Sequence, residues 1–578
     1  MTAVAQRPMS TVDAPAERRS RRQWGWVLAA AVPTVLTGLH AAFYGQWIVD
    51  DAGLSFAYAR SLATGAGPVL QPGSDPVEGF SNPTWVAVLA IGRALRLFDH
   101  GAWFGTPDLV LYPKLVALLC CFGVFALMFS IARTVSRRPV AITLVAGTAT
   151  AAVPSFVIWT TSGLENGLFA LVVMAIAAVL ARTAVSGLLL DPRTAAAVGI
   201  LVALAALTRP EGIVFLAAFP IATVLTVGPA TIRRTVRANL ISLVAFAIPA
   251  GAYLTWRLLT FGDYLPNTAR AKEQGLPSVR DLGRPELLID YLGWLTTVLA
   301  VAVIAAAITR PSPTRAVVAM LLVPLGLAVA NYAILRPDWM MQHRFATAVW
   351  PLAAITVTLS AFNVLRGAST RRRLVATTLA TAAAGLTLNG FWHHATAFRS
   401  EPTVGMCAVA QNTGYWINGY ADILGVKDGT LLTVDGGGSS LTSRLHLVDL
   451  SGLADARIAR FWQDDDMSGL RDYVLEDLRP TFVTYFSGWA GRGRLAIETD
   501  PRFNADYVQL WSGGDWVRRD AVPDPERLAA ARQWGRDVLA LIDRQYTAVP
   551  HRWWCGDTLR PSDIGSGAPA ASPLTRAR

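Results

Sequence analysis

The chain has 578 residues, of which 53% are hydrophobic and only 16% are charged, with a formal net charge of +11. Soluble globular domains carry about 25% charged residues, so this composition excludes an ordinary soluble protein and indicates an integral membrane protein. The basic residues are mostly arginines in short clusters between apolar segments, a pattern that sets membrane topology, so we do not expect nucleic acid as a partner.

The N-terminal region is polar and precedes a long apolar segment. Residues 1–23 include four arginines close to the start of Trp24–Phe43. That segment is longer than the apolar region of a cleaved signal peptide, which is about 7–15 residues. We therefore predict a retained signal anchor with a basic cytoplasmic tail at residues 1–23.

Ten further apolar segments alternate with polar connections. At about 20 apolar residues per crossing, the sequence predicts about eleven transmembrane helices and a membrane domain over residues 24–392. The ten segments are Leu109–Ala132, Pro139–Trp159, Gly167–Ala181, Thr194–Leu207, Ile213–Val227, Leu240–Leu259, Tyr291–Ile308, Ala316–Leu335, Ala346–Leu365 and Leu374–Phe391.

Arginine clusters mark every second connection, as the positive-inside rule requires for the cytoplasmic side. The connections before Thr194 and after Val227 are both marked in this way. The chain between them must therefore cross the membrane an even number of times, which favours a hairpin of the two short segments with Arg209 and Glu211 at its outer tip. The two segments could also form one re-entrant unit. These patterns predict a multi-pass protein of the plasma membrane. The clusters are Arg133, Arg137 and Arg138; Arg182 and Arg193; Arg233, Arg234 and Arg237; Arg310 and Arg315; and Arg366, Arg371, Arg372 and Arg373.

The other connections are predicted to lie outside the cytoplasm. In the first and largest of them, residues 84–98 form an apolar stretch that is too short and too charged to span, so we expect a helix in the membrane interface. The connections are 46–108, 160–166, 208–212, 262–290, 336–344 and everything after about His393.

The sequence after His393 has the mixed character of a soluble domain. Short strand-like runs at 429–434 and 482–486 and a helical stretch at 525–543 predict an extracytoplasmic α/β domain over residues 393–562, followed by a disordered tail at 563–578. Outside the cytoplasm a Cys407–Cys555 disulfide is expected. The glycine-rich run 435–440 lacks the ending of a phosphate-binding loop, and we interpret it as a turn after a strand.

Two adjacent carboxylates, Asp50 and Asp51, follow the first membrane segment. Such charges are costly unless they face water, a cation or a substrate, although they could simply begin a short helix. Four cations, Arg209, Arg270, Lys272 and Arg344, are predicted on the same face. Each alone has a structural explanation, but together they indicate a site for an anionic headgroup.

These residues belong to recognisable motifs. The run from Asp50-Asp51-Ala52 through Tyr58-Ala59-Arg60 to 77–83, Val-Glu-Gly-Phe-Ser-Asn-Pro, resembles the first outer loop of polytopic glycosyltransferases of the GT-C class. The similarity is closest to the actinobacterial arabinofuranosyltransferases that add terminal residues to cell-wall arabinan. Gly53-Leu54 and Ala57 depart from the usual pattern of that family. Further matching motifs are 161–165, 207–212, 265–268 with Lys272, and Arg344-Phe345.

The resemblance implies transfer of a sugar, arabinofuranose by the closest match, from a polyprenyl-phosphate donor to a cell-wall polysaccharide, with inversion. Either Asp50 or Asp51 would be the general base, with a slight preference for Asp50. Cations would bind the donor phosphate. The expected substrate-binding residues are Glu78, Asn82, Glu165, Arg209, Glu211, Asn267, Lys272, His343 and Arg344.

Three alternatives remain open from the sequence. Asp50, Asp51 and Glu78 could instead form a hard-oxygen site for a divalent cation, although no cofactor is required by the residues alone. The protein could be a transporter or flippase of lipid-linked sugars, although such proteins tend to carry polar groups at mid-membrane. It could also use mannose or another hexose, or act as a scaffold for other wall enzymes.

Overall fold

The computed structural model describes residues 16–272, 281, 283–336, 339–485, 489 and 491–548. Residues 1–15 of the basic tail, Cys555 and the tail 563–578 therefore lie outside the described residues. The Cys407–Cys555 disulfide and the tail predictions thus stay predictions. The described chain consists of a long helical region followed by a smaller domain built on a β-sheet.

The helical region contains sixteen α-helices and one short β-hairpin among the described residues. The helices are α1 Ala16–Ala42, α2 Asp51–Ala63, α3 Pro83–Ala94, α4 Asp108–Val135, α5 Pro139–Ala152, α6 Pro154–Thr160, α7 Asn166–Ser186, α8 Pro192–Thr208, α9 Ala218–Val224, α10 Ile232–Phe261, α11 Asn267–Ala271, α12 Glu286–Leu292, α13 Trp294–Thr309, α14 Pro313–Ile334, α15 Val349–Arg366 and α16 Thr370–Ser400. The hairpin pairs β1 Ala102–Trp103 with β2 Thr106–Pro107, and 3-10 helices occupy Pro210–Ala217, Pro229–Thr231 and Arg344–Ala346.

The length and composition of these helices confirm a polytopic membrane protein. Within the described ranges, seven helices are long and apolar enough to cross a membrane, or up to nine if two bent pairs each count as one span. The bent pairs are α5 with α6, at 79°, and α12 with α13, at 105°. Helix α8 and the stretch Pro210–Val224 are apolar but shorter, so the count of eleven crossings stays a prediction.

The chain turns sharply between α8 and the 3-10 helix that follows. Asp191 caps α8 by accepting a hydrogen bond from the Arg193 amide, and the helix ends before Arg209, whose backbone is extended with φ −149° and ψ 134°. Gly212 then packs against α8 so closely that a Cβ atom there would lie 2.3 Å from Ala205 backbone atoms. The expected hairpin, with Arg209 and Glu211 at its turn, is therefore present.

The C-terminal domain contains a five-stranded mixed sheet, with strand order β4-β3-β5-β7-β6. Strand β3 is parallel to β4 and β5, whereas β7 is antiparallel to β5 and β6. The strands are β3 Thr430–Thr433, β4 His446–Asp449, β5 Phe482–Thr484, β6 Tyr507–Trp511 and β7 Asp515–Arg518. The helices are α17 Met406–Val409, α18 Trp416–Leu424, α19 Gly436–Thr442, α20 Ala456–Gln463, α21 Met467–Asp472, α22 Arg492–Leu495, α23 Pro501–Asp506 and α24 Pro525–Ala548.

The expected α/β character of this domain is confirmed, with two differences. The last long helix, α16, continues to Ser400, seven residues beyond the predicted boundary at 393. The run 435–440 is the start of helix α19 rather than a simple turn. Its glycines are needed because a Cβ at Gly437 would lie 2.0 Å from the Asp50 carbonyl oxygen, and one at Gly438 would lie 2.1 Å from that of Met406.

The two parts of the chain are joined through the residues that precede α2. The Val49 backbone bridges to Gly405, and the Met406 amide donates to the Ile48 carbonyl at 2.9 Å. The Asp50 carboxylate accepts hydrogen bonds from the backbone amides of Gly438, at 2.7 Å, and Gly437, at 3.3 Å. The start of α2 is therefore fixed directly against the C-terminal domain.

This close approach predicts that Gly437→Ala destabilises the junction. Overpacking a tight contact costs about 1–3 kcal/mol, and we expect a loss of that size in the free energy of unfolding. Denaturant unfolding of the purified protein in detergent measures it. The control is Gly493→Ala, because a Cβ at Gly493 meets nothing within 4 Å. Equal stability of the two variants would contradict the proposed packing.

Candidate active site

A cavity of about 250 Å³ lies where the predicted outer connections meet. Each of the five connections assigned to one face contributes to its wall, and the C-terminal domain adds Leu453. These connections therefore share one face of the helical region, as the alternation of arginine clusters predicted. Seven of the predicted site residues line this cavity: Asp51, Asn82, Glu165, Arg209, Glu211, Lys272 and Arg344.

The structure separates the two adjacent carboxylates. Asp51, the first residue of α2, faces the cavity, and its Oδ2 lies 3.7 Å from Nζ of Lys272. Asp50 is buried outside the cavity wall, with its carboxylate on the α19 amides. Burial, with the nearby Asp435, raises the pKa of the Asp50 carboxyl well above its ordinary value, and the Gly438 and Gly437 amides partly oppose this. Of the two carboxylates, Asp51 is thus the one that lines the cavity.

Arg209 organises the polar wall of the cavity. Its Nη1 donates to Oε1 of Glu165 at 2.6 Å, and its Nε donates to Glu211. Asn82 donates to the second oxygen of Glu165 at 2.6 Å and also to Oγ of Ser55 at 3.2 Å. One hydrogen-bonded network with charges of both signs therefore connects α2, the N-cap residues of α3 and α7, and the turn after α8.

A second guanidinium lies on the same wall. Arg344 and Arg209 are both buried, and their Cζ atoms lie 4.9 Å and 5.3 Å from the centre of the Phe345 ring. Guanidinium groups at such distances are attracted to the negative face of an aromatic ring. Phe345 itself lines the cavity. Sequence reasoning gave Phe345 only as part of a motif, although its position beside Arg344 was a usable signal.

His343 lies behind the cavity wall rather than in it. Its Nδ1 is 2.8 Å from the Tyr332 hydroxyl, and its ring packs edge-on against Tyr291 at 5.0 Å. Burial lowers the pKa of His343 to about 4, with smaller contributions from His394 and Arg284, so the ring is neutral near pH 7. His343 does not line the cavity, and its expected role in substrate binding stays a prediction.

Glu78 and Asn267 also lie behind the wall. The Glu78 carboxylate accepts from Nε of Arg257 at 2.5 Å and from the Tyr253 hydroxyl at 2.6 Å. Burial raises the pKa of Glu78 above its ordinary value, and the hydrogen bonds from Arg257 and Tyr253 partly oppose this rise. The side-chain amide of Asn267 donates to the Gly452 carbonyl at 2.6 Å, and its backbone amide donates to the Glu78 carbonyl at 3.2 Å. Both residues hold the segment that carries Lys272.

Arg257 and Tyr253 were missed by sequence reasoning. They lie near the end of a predicted transmembrane segment, where a charged residue is costly without a partner. That cost was a usable signal for a buried carboxylate nearby, but the sequence could not show that the partner is Glu78, about 180 positions earlier.

The alternative cation site does not assemble in the described residues. Asp50 binds the α19 amides, Asp51 faces Lys272, and Glu78 is paired with Arg257, so the three carboxylates have different partners. Within the described part of the chain, no group of three or more His, Cys, Asp or Glu side chains is placed to hold a metal ion.

Comparisons with known proteins identify solved structures with a similar fold. No protein-family model matches the chain, and no curated protein matches it. ArnT from Cupriavidus metallidurans, solved with bound undecaprenyl phosphate, aligns with a TM-score of 0.54 and 14% identity, covering 87% of this chain and 99% of ArnT. The apo form of ArnT aligns with a TM-score of 0.54 and 15% identity, covering 87% of this chain and 100% of ArnT. Arabinofuranosyltransferase AftD from Mycobacteria aligns with a TM-score of 0.49 and 17% identity, covering 87% of this chain and 38% of AftD.

The similarity to ArnT shows a shared fold over nearly the whole of both chains. The fold is the GT-C fold that the sequence motifs implied. The protein is a multi-pass membrane protein of this fold class.

The buried pair of Glu78 and Arg257 predicts a specific pattern of stability. Arg257→Met leaves a buried carboxylate without its cation, which typically costs about 3–5 kcal/mol of unfolding free energy. Adding Glu78→Gln removes that charge, so the double variant should recover a large part of the loss. Denaturant unfolding of the two variants measures the difference. Equal stability of the single and double variants would show that the pair is not coupled.

Proposed function

We propose that the protein is a membrane glycosyltransferase that moves a sugar from a polyprenyl-phosphate donor to an acceptor hydroxyl. The observation that carries this proposal is the single cavity that holds Asp51 and Lys272 together with Arg209 and Arg344. A candidate base and three cations on one small wall suit a reaction that removes one proton and releases a phosphate.

The cationic part of the wall is assigned to the donor phosphate. Arg209, Lys272 and Arg344 line the cavity, and a guanidinium can bind phosphate through two parallel hydrogen bonds. ArnT, which shares the fold, is solved with undecaprenyl phosphate bound. A donor of this kind carries its phosphate on a long lipid chain, which fits a cavity built from the connections of membrane helices.

Asp51 is assigned as the general base. Its side chain is about one-fifth exposed, so an acceptor can approach it, whereas Asp50 is occupied by backbone amides. The acceptor oxygen attacks the anomeric carbon while its proton passes to the Asp51 carboxylate. The bond from that carbon to the phosphate oxygen breaks in the same step. The phosphate leaves with the bonding electron pair, and the anomeric configuration inverts.

The remaining polar residues orient the reactants. Asn82 and Glu165 are assigned to the sugar hydroxyls, and their mutual hydrogen bond at 2.6 Å fixes the position of both. Glu211 balances the charge of Arg209 on the cavity wall. Glu78, Asn267 and His343 act through the segments they hold rather than by touching substrate.

Arabinofuranose is the proposed sugar, and a cell-wall polysaccharide outside the plasma membrane is the proposed acceptor. The support is the sequence of the first loop and the motifs at 161–165 and 207–212, which are closest to the arabinofuranosyltransferases. From the alternation of the arginine clusters we assign the cavity and the C-terminal domain to the outside of the cytoplasm and the N-terminus to the inside. Residues 393–562 are proposed as one domain with a role in holding the acceptor.

Paired variants test the base assignment. Asp51→Asn should lower kcat by about 10²–10⁴, the usual contribution of a general base, and leave the unfolding free energy nearly unchanged. Asp50→Asn should instead lower stability, because it weakens the bonds to the α19 amides. Transfer of labelled sugar from synthetic polyprenyl-phosphate arabinose measures the first effect, and denaturant unfolding measures the second. Full activity of Asp51→Asn would exclude Asp51 as the base.

The role of Phe345 gives a second prediction. Phe345→Leu removes the ring between the two guanidiniums, and cation–π contacts are worth about 0.5–2 kcal/mol. We expect the KM for the donor to rise roughly tenfold. Phe345→Trp retains an aromatic face and should keep the KM within about threefold of the original. Equal KM values for the leucine and tryptophan variants would show that the ring does not position the arginines.

A further inference from the structure

The hairpin between α3 and α4 exposes two aromatic side chains at its tip. Strands β1 and β2 pair Trp103 with Thr106, which leaves Phe104 and Gly105 as a two-residue turn. Both turn residues have positive φ, 53° and 76°, the geometry of a turn that favours Asn-Gly. Phe104 is fully exposed, and Trp103 is 37% exposed. Neither turn preference nor packing within the chain explains a phenylalanine at this position.

The hairpin is attached rigidly to the first turn of α4. The Asp108 carboxylate accepts hydrogen bonds from the amides of Asp99, His100 and Gly101, at 3.0, 2.7 and 2.7 Å. Phe104 is four residues from Asp108, so at most about 14 Å of chain separates them. The aromatic tip therefore stays close to the start of a membrane-spanning helix.

Helix α4 is long enough for its first turns to extend beyond the hydrocarbon core. Its 28 residues span about 42 Å, whereas the hydrocarbon core of a bilayer is about 30 Å thick. The exposed apolar surface of α4 begins with Leu115 and Leu119. The turns before Leu115 thus lie at the level where tryptophan and other amphipathic aromatic side chains concentrate in membrane proteins.

We propose that Trp103 and Phe104 insert into the interfacial layer of the lipid bilayer and anchor the first loop there. The nearby α3 supports the same surface, because Ile91 and Leu95 are 59% and 64% exposed. Helix α3 is held against α4 by the Tyr112 hydroxyl, which donates to the Val88 carbonyl at 3.0 Å. Exposed apolar side chains therefore occur on both sides of the hairpin, at the end of α3 and on α4.

The anchor is connected to the cavity through buried ion pairs. Asp99 accepts from Nε and Nη2 of Arg60 on α2, at 2.7 and 2.8 Å, and from Nε of Arg93 on α3, at 2.9 Å. Helix α2 begins with Asp51. The depth of the hairpin in the bilayer therefore sets the height of the cavity above it. If the proposed function holds, this fixes Asp51 at the level of the donor phosphate.

Depth measurement by spin labelling tests the anchor directly. A nitroxide label is placed at Phe104→Cys in phosphatidylcholine nanodiscs, and its collision rates with oxygen and a water-soluble nickel complex are compared. Leu119→Cys serves as the lipid-facing reference and Gly493→Cys, in the C-terminal domain, as the water-facing reference, with the signal of the unsubstituted chain subtracted. We expect the oxygen preference of Phe104→Cys to lie at or near that of Leu119→Cys. A value equal to that of Gly493→Cys would overturn the proposal.

Kinetics test the link to the cavity separately. Phe104→Asn keeps a favoured turn residue but removes the ring, and Ala102→Asn is the matched control on the same hairpin. In bilayers Phe104→Asn should raise the donor KM roughly fivefold. Burying one phenylalanine ring shifts a partition equilibrium by about tenfold or more, and we expect part of that effect to reach the KM. In detergent both variants should match the original protein. An unchanged KM in bilayers would overturn the link to the cavity. Because the depth measurement needs no donor, it stands even if the proposed function fails.

Discussion

The arrangement of the cavity depends on the buried carboxylate of Asp50 and the glycine amides that bind it. A carboxylate removed from water is costly unless it is hydrogen-bonded, and here the amides of Gly437 and Gly438 supply those bonds. The glycines are required because any side chain at Gly437 would collide with the Asp50 backbone. This contact joins the start of α2 to the C-terminal domain. Asp51, the next residue, consequently faces the cavity.

The other charged groups of the site are also paired. Each buried cation that has been described is placed near an acid or an aromatic ring: Arg209 beside Glu165 and Glu211, Arg257 on Glu78, and Arg344 over Phe345. Such pairings lower the cost of keeping charges out of water. They also fix the geometry of the cavity wall, so under the proposed function little ordering would remain when the donor phosphate binds. The three acidic residues on the wall, Asp51, Glu165 and Glu211, balance three cations.

Much of this organisation was predictable from the sequence. The alternation of arginine clusters assigned five connections to one face, and the structure brings all five to one cavity. The acidic pair after the first membrane segment and four cations were expected there, and Asp51, Arg209, Lys272 and Arg344 line the wall. The fourth cation, Arg270, pairs with Asp263 instead. Two of the five strands of the C-terminal sheet, β3 and β5, were predicted by the strand-like runs at 429–434 and 482–486.

The remainder depended on contacts between distant positions. Nothing in the sequence indicates that Gly437 meets Asp50, almost 390 residues earlier, so the two adjacent carboxylates could not be told apart. For the same reason the sequence could not show that Glu78 pairs with Arg257 and that His343 bonds to Tyr332, outside the cavity wall. The local sequence pattern identified which residues are chemically unusual for a membrane protein. Only the packing showed which of them face the cavity.

The central claim is that this cavity transfers a sugar from a lipid phosphate. The most direct measurement incubates the purified protein in nanodiscs with labelled polyprenyl-phosphate arabinose, mannose or glucose and an arabinan acceptor, and determines the anomeric configuration of any product by NMR. The account predicts transfer from the arabinose donor with inversion. No glycosidic product from any donor, together with movement of the labelled headgroup across the bilayer, would contradict it and indicate a transporter.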